Sequence, residues 1–329
     1  MGASRLDFFL IKSVEKKINL ILQDFEVFWR QRSRAFWLRA GDKNSKFFHA
    51  KASQRRRRNH INGLIDERGF WQPDVEDIQQ IISDYFGKLF SSSSPSLFDF
   101  DNVLQVVGRK VSNDMNLKLG ATITKKEVRC ALMQMTPSKA PGPDGLPELF
   151  FQKHWSIVGD SVSRAVLEVL NENAPMGRLG KTVVVLIPKV KTSVRIEEFR
   201  PISLCNVLYK LIAKVLANRL KLVLDDVISP SQSAFVSSCL IMDNIVVAYQ
   251  CLHHLRNSRS GSKGHIALKL DMSKAYDRVE WGFLQKIMER LGFSLGWISK
   301  VMGCVSSASY VFLVNGEPRD RIIPKRGLR

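Results

Sequence analysis

The stretch "HIALKLDMSKAYDRVEW", His265–Trp281, decides how the chain is read. Ile266, Leu268 and Leu270 alternate with Ala267, Lys269 and Asp271, the period of a half-buried β-strand. The strand would end on a carboxylate, Asp271, with Tyr276 five residues on and Asp277 directly after it. An acid in that place has two readings. It caps the helix that follows, or it is a ligand for a hard divalent cation such as Mg²⁺. From these residues alone both stand.

Working outward, the 329 residues are enough for about two domains. A hydrophobic content of 45% can fill ordinary cores, whereas a net charge of +19 favours polyanionic partners, nucleic acid before acidic membranes. No apolar run approaches the roughly 18 residues of a membrane span. The start, "MGASRL", has neither a secretory core nor the Ser or Thr of a myristoylation signal, so a soluble intracellular protein, nuclear or cytoplasmic, is expected. The five cysteines form no C-x-x-C pair and the six histidines complete no ligand set, so buried or inert thiols are expected and a structural zinc site is not.

The first 90 residues read as helical and basic. Between Arg30 and Arg58 stand eleven Lys or Arg against one acid, Asp42, with Phe28, Trp29, Phe36, Trp37, Phe47 and Phe48 interleaved. The pattern fits an amphipathic helix with a solvated basic face. It also fits a nucleic-acid surface on which Arg55, Arg56, Arg57 and Arg58 meet phosphates, and the density of charge favours the second. "SSSSPS", residues 91–96, has the composition of a linker. A capping box, Thr124–Glu127, opens a helix carrying Val128, Ala131, Leu132 and Met135. "SKAPGPDGLP", Ser138–Pro147, reverses the chain in a rigid loop, and helices resume through "ELFFQKHW" and "SVSRAVLEVLN". "TVVVLIPK", 182–189, and "EEFRPISL", 197–204, read as a strand and its return. A long helix bears Leu208, Leu211, Ile212, Val215 and Leu216. A second runs roughly from Met242 to Leu255, and a third follows the opening stretch with Phe283, Ile287 and Leu291. "YVFLVNGEPRDRIIP" closes the chain as a hairpin.

Several of these stretches resemble a known family when taken in order. "SKAPGPDG", "LIPK", "FRPISL", "SQSAF", "DNI", "KLDMSKAYDRVEW", "VNG" and "RGLR" follow one another as in the reverse transcriptases of non-LTR (LINE-type) retrotransposons, especially those of plants. "GDKNSKFFHAKASQRRRRN" resembles the segment those polyproteins carry between endonuclease and polymerase. The resemblance covers nearly the whole chain. It implies an α+β fold: reverse-transcriptase fingers and an incomplete palm over residues 96–329, behind a basic, mainly helical segment over 1–95.

The resemblance also implies roles. Asp271 is the first metal-binding and catalytic aspartate, with Mg²⁺ as cofactor. Tyr276 is the steric gate beneath the incoming sugar, Asp277 a structural acid, and Lys189 and Arg200 the cations that hold a deoxynucleoside triphosphate. Lys139 and the loop with Gly142, Asp144 and Gly145 shape the template path, or form a plain rigid turn. An RNA template and a DNA primer are the expected partners, with no membrane.

The chain departs from that family in two ways. No adjacent Asp pair follows Asp271; the only one, Asp225–Asp226, lies upstream. Ser237–Ser238 stand where the family commonly has Gly-Arg, and the sequence reaches Arg329 before the family's Gln-Gly-x-Pro loop, catalytic hairpin and thumb. Two expectations follow: a reverse transcriptase piece inactive by itself, or a non-enzymatic nucleic-acid-binding transposon remnant.

Overall fold

The computed structural model describes residues 5–33, 45–234, 236, 239–257 and 266–328. They divide into two compact units. The first takes Met1–Ile81, Val185–Ile202 and Leu313–Pro318; the second takes Ile82–Val184, Ser203–Phe312 and Arg319–Arg329.

The chain begins as a helical hairpin, α1 (Arg5–Ser33) packed on α2 (Ser45–Asn59), where Trp29 and His49 lie ring to ring at 3.4 Å. Phe36 and Trp37, counted in the aromatic pattern, lie outside the described residues. A short antiparallel pair, β1 (Leu64–Ile65) and β2 (Trp71–Gln72), interrupts the expected helical run. Asp66 organises its turn by accepting from the Arg68 and Phe70 amides. Helix α3 (Val75–Phe90) follows and buries Ile78, Ile82, Phe86 and Phe90, one stripe at helical spacing.

Capping side chains start the next helices. Ser96 opens α4 (Leu97–Leu104), Ser112 opens α5 (Asn113–Gly120), and Thr124 opens α6 (Lys125–Met133); at α4 and α6 the third residue is an acid whose carboxylate accepts from the cap's backbone N–H. The helices α7 (Glu148–Lys153) and α8 (Trp155–Asn171) then lead into strand β3 (Lys181–Pro188). Its residues alternate between buried and partly exposed, as period-2 patterning predicts. Its return is β4 (Phe199–Cys205), followed by α9 (Val207–Leu220) and the short α10 (Leu224–Val227).

Helix α9 is the hub of the second unit. It buries Val207, Leu211, Ile212, Val215 and Leu216 and packs on α5, α6 and α8. The remaining elements are α11 (Ile241–Asn257), α12 (Trp281–Leu291), α13 (Leu295–Ser306), β5 (Ser309–Val314) and β6 (Glu317–Ile322). Helix α13 also packs on α9. Asn315 and Gly316, with φ of 55° and 102°, make the two-residue turn between β5 and β6. The sheet order is β4-β3-β5-β6. The described residues form a mixed helical and sheet fold.

The expected strand at 266–270 is not there. Those residues carry no regular structure, and Ile266, Leu268 and Leu270 are 92%, 78% and 80% exposed. Alternation selects a face, but a strand exists only where a neighbour completes its ladder. None of the strands among the described residues pairs with this segment. The five cysteines are free thiols: Cys205 and Cys304 are buried, whereas Cys130, Cys239 and Cys251 are exposed. Burial pushes the Cys205 thiol up, and the Cys304 thiol up to about 11, so both stay protonated and unreactive near neutral pH.

One ion pair holds several elements together. Arg219 on α9 is buried and grips Glu127 at 2.7 and 3.1 Å, and it also donates to the carbonyls of Leu119, Ala121 and Thr122 between α5 and α6. Arg219→Ala strands these acceptors, so a loss of about 3 kcal/mol is expected. Arg219→Lys rescues little, because an ammonium cannot reproduce the planar fork. Glu127 also sets the pH dependence. Burial raises its carboxyl, but Arg219 and Thr124 together outweigh that and hold it below the usual glutamate range. A depressed folded-state pKa means this stabilisation is present above about pH 4.5 and is lost as pH falls through the folded value. Urea midpoints at pH 7 and pH 3.5 check both statements. An Arg219→Ala midpoint equal to wild type at pH 7 contradicts them.

Candidate nucleotide and nucleic-acid site

The hairpin of β3 and β4 presents two of the expected cations. The Lys189 amide donates to the Glu198 carbonyl at 2.8 Å, which pairs the end of β3 with the start of β4. Side chains alternate across a strand, and Val184, Leu186, Pro188 and Phe199 are buried. Lys189 and Arg200 therefore share the opposite, exposed face. The Lys189 ammonium donates to the Glu197 carbonyl at 2.7 Å, which holds the side chain along its own hairpin. The Glu198 carboxylate accepts from the amides of Arg195 and Val194, which hold it below its ordinary range and keep the loop folded back. A fork of guanidinium donors beside an ammonium on one rigid hairpin suits a polyphosphate.

The loop around Pro143 is a tight turn closed by the Gly145 amide on the Gly142 carbonyl at 3.1 Å, with Gly145 at φ 72°. Gly142 permits a close approach: a Cβ there would lie 2.5 Å from the backbone nitrogen of Asn206. Asn206 joins β4 to α9, and its side-chain oxygen accepts from the Asp144 amide at 3.4 Å. Pattern reading missed a second anchor. Lys210 donates to the Ala140 carbonyl at 3.3 Å and pairs at 3.0 Å with Glu148, whose side chain is fully buried at the start of α7. A lysine and a glutamate 62 positions apart leave no local signal. Lys139 is exposed at the entry to this loop.

Asp271 is exposed, two residues before a turn, and so it caps no helix directly. The turn passes through Lys274, at φ 56°, and continues as one 3₁₀ turn, Ala275–Arg278. The Lys274 ammonium lies 5.5 Å from the Tyr85 ring and 5.7 Å from the Phe86 ring. Tyr276 is 57% exposed, which excludes a core role, whereas Asp277 is buried. The described residues contain no group of three or more His, Cys, Asp or Glu able to hold a metal. They therefore do not meet the ligand set of a Mg²⁺ pair, and Asp271 contributes a single exposed carboxylate.

Arg55, Arg56, Arg57 and Arg58 are all exposed at the end of α2, where cations complement the helix dipole. Successive residues turn by about 100°, so the four guanidinium groups ring the helix rather than line one side. Part of the basic stretch, 34–44, and the Ser237–Ser238 departure lie outside the described residues. No helix among the described residues is long and apolar enough to cross a membrane.

The chain is similar to known proteins over most of its length. Residues 187–329, which include both cations of the hairpin and the turn with Tyr276, match the family model described as reverse transcriptase (RNA-dependent DNA polymerase). The chain is 31% identical over 301 residues to the uncharacterized 149 kDa protein of transposon TX1 from Xenopus laevis, which covers 91% of the chain and 22% of that protein. It is 25% identical over 258 residues to the retrovirus-related Pol polyprotein from the type-2 retrotransposable element R2DM of Drosophila melanogaster, covering 76% and 22%. It is 24% identical over 220 residues to the Pol polyprotein of the type-1 element R2 of Popillia japonica, covering 63% and 28%. The chain thus spans less than a third of the length of each of these relatives, and the match supports a reverse transcriptase domain in its C-terminal part.

Proposed function

We propose that this chain supplies the nucleotide-binding hairpin and part of the palm of an RNA-directed DNA polymerase of the non-LTR retrotransposon type. The observation that carries the reading is the shared exposed face of Lys189 and Arg200, on a hairpin that opens the stretch matched to reverse transcriptases. In this reading Arg200 binds the triphosphate bidentately and Lys189 adds a point charge. Tyr276 selects the deoxy sugar by occupying the space a 2′-hydroxyl needs. Asp271 would contribute one carboxylate to a Mg²⁺ site, whose further ligands the described residues do not bring together. The PGPDG loop, fixed by Asn206 and Lys210, carries the template strand past Lys139.

The test is binding of a deoxynucleoside triphosphate to the purified chain, by calorimetry at fixed Mg²⁺. The double variant Lys189→Ala/Arg200→Ala is expected to weaken binding by about tenfold to a hundredfold, as two charge-assisted contacts are lost. Equal affinity in the variant removes the reading. A second function, nucleic-acid binding without chemistry, is favoured by the four exposed arginines of α2, and it needs neither Asp271 nor Tyr276.

A further inference from the structure

The turn that carries Tyr276 is held from outside by a side chain to which the sequence reading gives no role. Glu280, immediately before α12, accepts from the Ser92 hydroxyl at 2.7 Å, the Ser93 amide at 3.0 Å and the Ser93 hydroxyl at 2.9 Å, and from Arg326 at 3.2 Å. The pair with Arg326 is largely buried, with side chains 13% and 16% exposed. Arg326 in turn donates to the Leu89 carbonyl at 2.8 Å, at the end of α3.

Residues 325–328 lie between α3 and the turn and bond to both. On one side the Lys325 amide donates to the Phe90 carbonyl at 2.9 Å. On the other the Gly327 amide donates to Val279 and the Leu328 amide to Tyr276, each at 2.8 Å. Trp281 closes the ring by donating its indole N–H to the Gly327 carbonyl at 2.9 Å. Gly327 is at φ 94°, and a Cβ there would lie 2.8 Å from the Asp277 carbonyl, so no other residue fits without displacing the turn.

We propose that Glu280 is a positioning residue for sugar selection: by gathering Ser92, Ser93 and Arg326 it clasps the Ala275–Arg278 turn and fixes where the Tyr276 ring stands. This rests on the gate role given to Tyr276 above. The Lys274 ammonium lies against Tyr85 and Phe86, so the turn's upstream flank is held by a cation and its downstream flank by the clasp. A gate works by excluding an oxygen atom from a small space, and a displacement of about 1 Å is enough to admit it. The serine-rich stretch is therefore not merely a spacer; two of its hydroxyls and one amide hold the carboxylate. Burial raises the Glu280 carboxyl, but the Ser93 amide, the two hydroxyls and Arg326 outweigh this and hold it below the usual glutamate range, so it is ionised at neutral pH.

The test uses the full chain with Glu280→Ala, the milder Glu280→Gln, and Ser92→Ala/Ser93→Ala, whose hydroxyls lie at the surface of the clasp. Two readouts are taken. Hydrogen exchange at residues 275–280 and 325–328 is expected to accelerate about tenfold in Glu280→Ala and less in the other two, at unchanged far-ultraviolet dichroism. The ratio of deoxyribo- to ribonucleoside triphosphate affinity is expected to narrow toward one in the same order. Unchanged exchange in all three variants overturns the clasp itself, whatever the nucleotide data show. Faster exchange with an unchanged affinity ratio overturns the positioning role and leaves a structural contact. A wild-type chain that binds both nucleotides equally, with exchange still accelerated in the variants, overturns the gate role of Tyr276 and with it the positioning claim, while the clasp geometry stands.

Discussion

Given a primed RNA template, Mg²⁺ and deoxynucleoside triphosphates, the 329-residue chain is expected to extend no primer. Two Mg²⁺ ions about 4 Å apart repel each other and need several anionic ligands between them. Asp271 supplies one carboxylate, the described residues bring no group of three ligating side chains together, and Asp277 is buried beside Gly327. A nucleotide's own phosphates can fill part of a coordination shell but not the primer side. Joined in frame to the segment of a related element that carries the adjacent Asp pair, the chain is expected to extend primers. There Asp271→Ala removes a metal ligand worth several kcal/mol, on the order of a thousandfold in rate. Extension by the chain alone that vanishes in Asp271→Ala contradicts the first statement. A joined protein indifferent to Asp271 contradicts the second and makes the residue an ordinary surface acid.

The second large effect is on nucleic-acid binding. The chain is expected to bind RNA and DNA with little sequence preference and to release them steeply as salt rises, because each neutralised phosphate frees counterions. The four arginines of α2 ring the helix, so one strand backbone touches about two of them at a time. Replacing Arg55, Arg56, Arg57 and Arg58 with alanine should then flatten the log–log salt slope on duplex DNA by about 2, at roughly 0.9 per lost contact. A change near 4 means that the nucleic acid wraps the helix end or that two strands meet there. The partial negative charge of a helix C-terminus, about half a unit, opposes phosphate binding there but is small against four guanidinium groups. Fluorescence anisotropy from 50 to 300 mM salt measures the slope; identical slopes for variant and wild type remove α2 from the binding surface.

Local patterns in the sequence specified the elements whose stabilising contacts are near in the chain or whose periodicity matches a buried face. The capping box at Thr124–Glu127 starts a helix where it stands. The stripe Leu208, Leu211, Ile212, Val215 and Leu216 lies on α9, with all but Leu208 fully buried. The alternation in 182–189 gives β3, and Asn315–Gly316 turns the last hairpin. Each depends on a cap, a period or a turn that reads out over ten residues or fewer.

What failed or stayed hidden depends on partners far along the chain. Residues 266–270 have the alternation of a strand and none of its hydrogen bonds, because a ladder needs a neighbour that alternation cannot specify. "SSSSPS" has the composition of a linker, yet two of its serines bind a carboxylate 187 and 188 positions away. Glu148, Lys210, Arg219 and Glu280 look like ordinary surface charges in sequence. Each is withdrawn from water by elements packed around it, and a charge so placed is stable only with its partner fixed beside it. The sequence by itself therefore determined the capped and periodic helices, the cation-bearing hairpin and the resemblance to reverse transcriptases. Only the tertiary structure decided which charges are paired and what holds the Tyr276 turn, because those contacts close loops of 46 residues or more that no local period records.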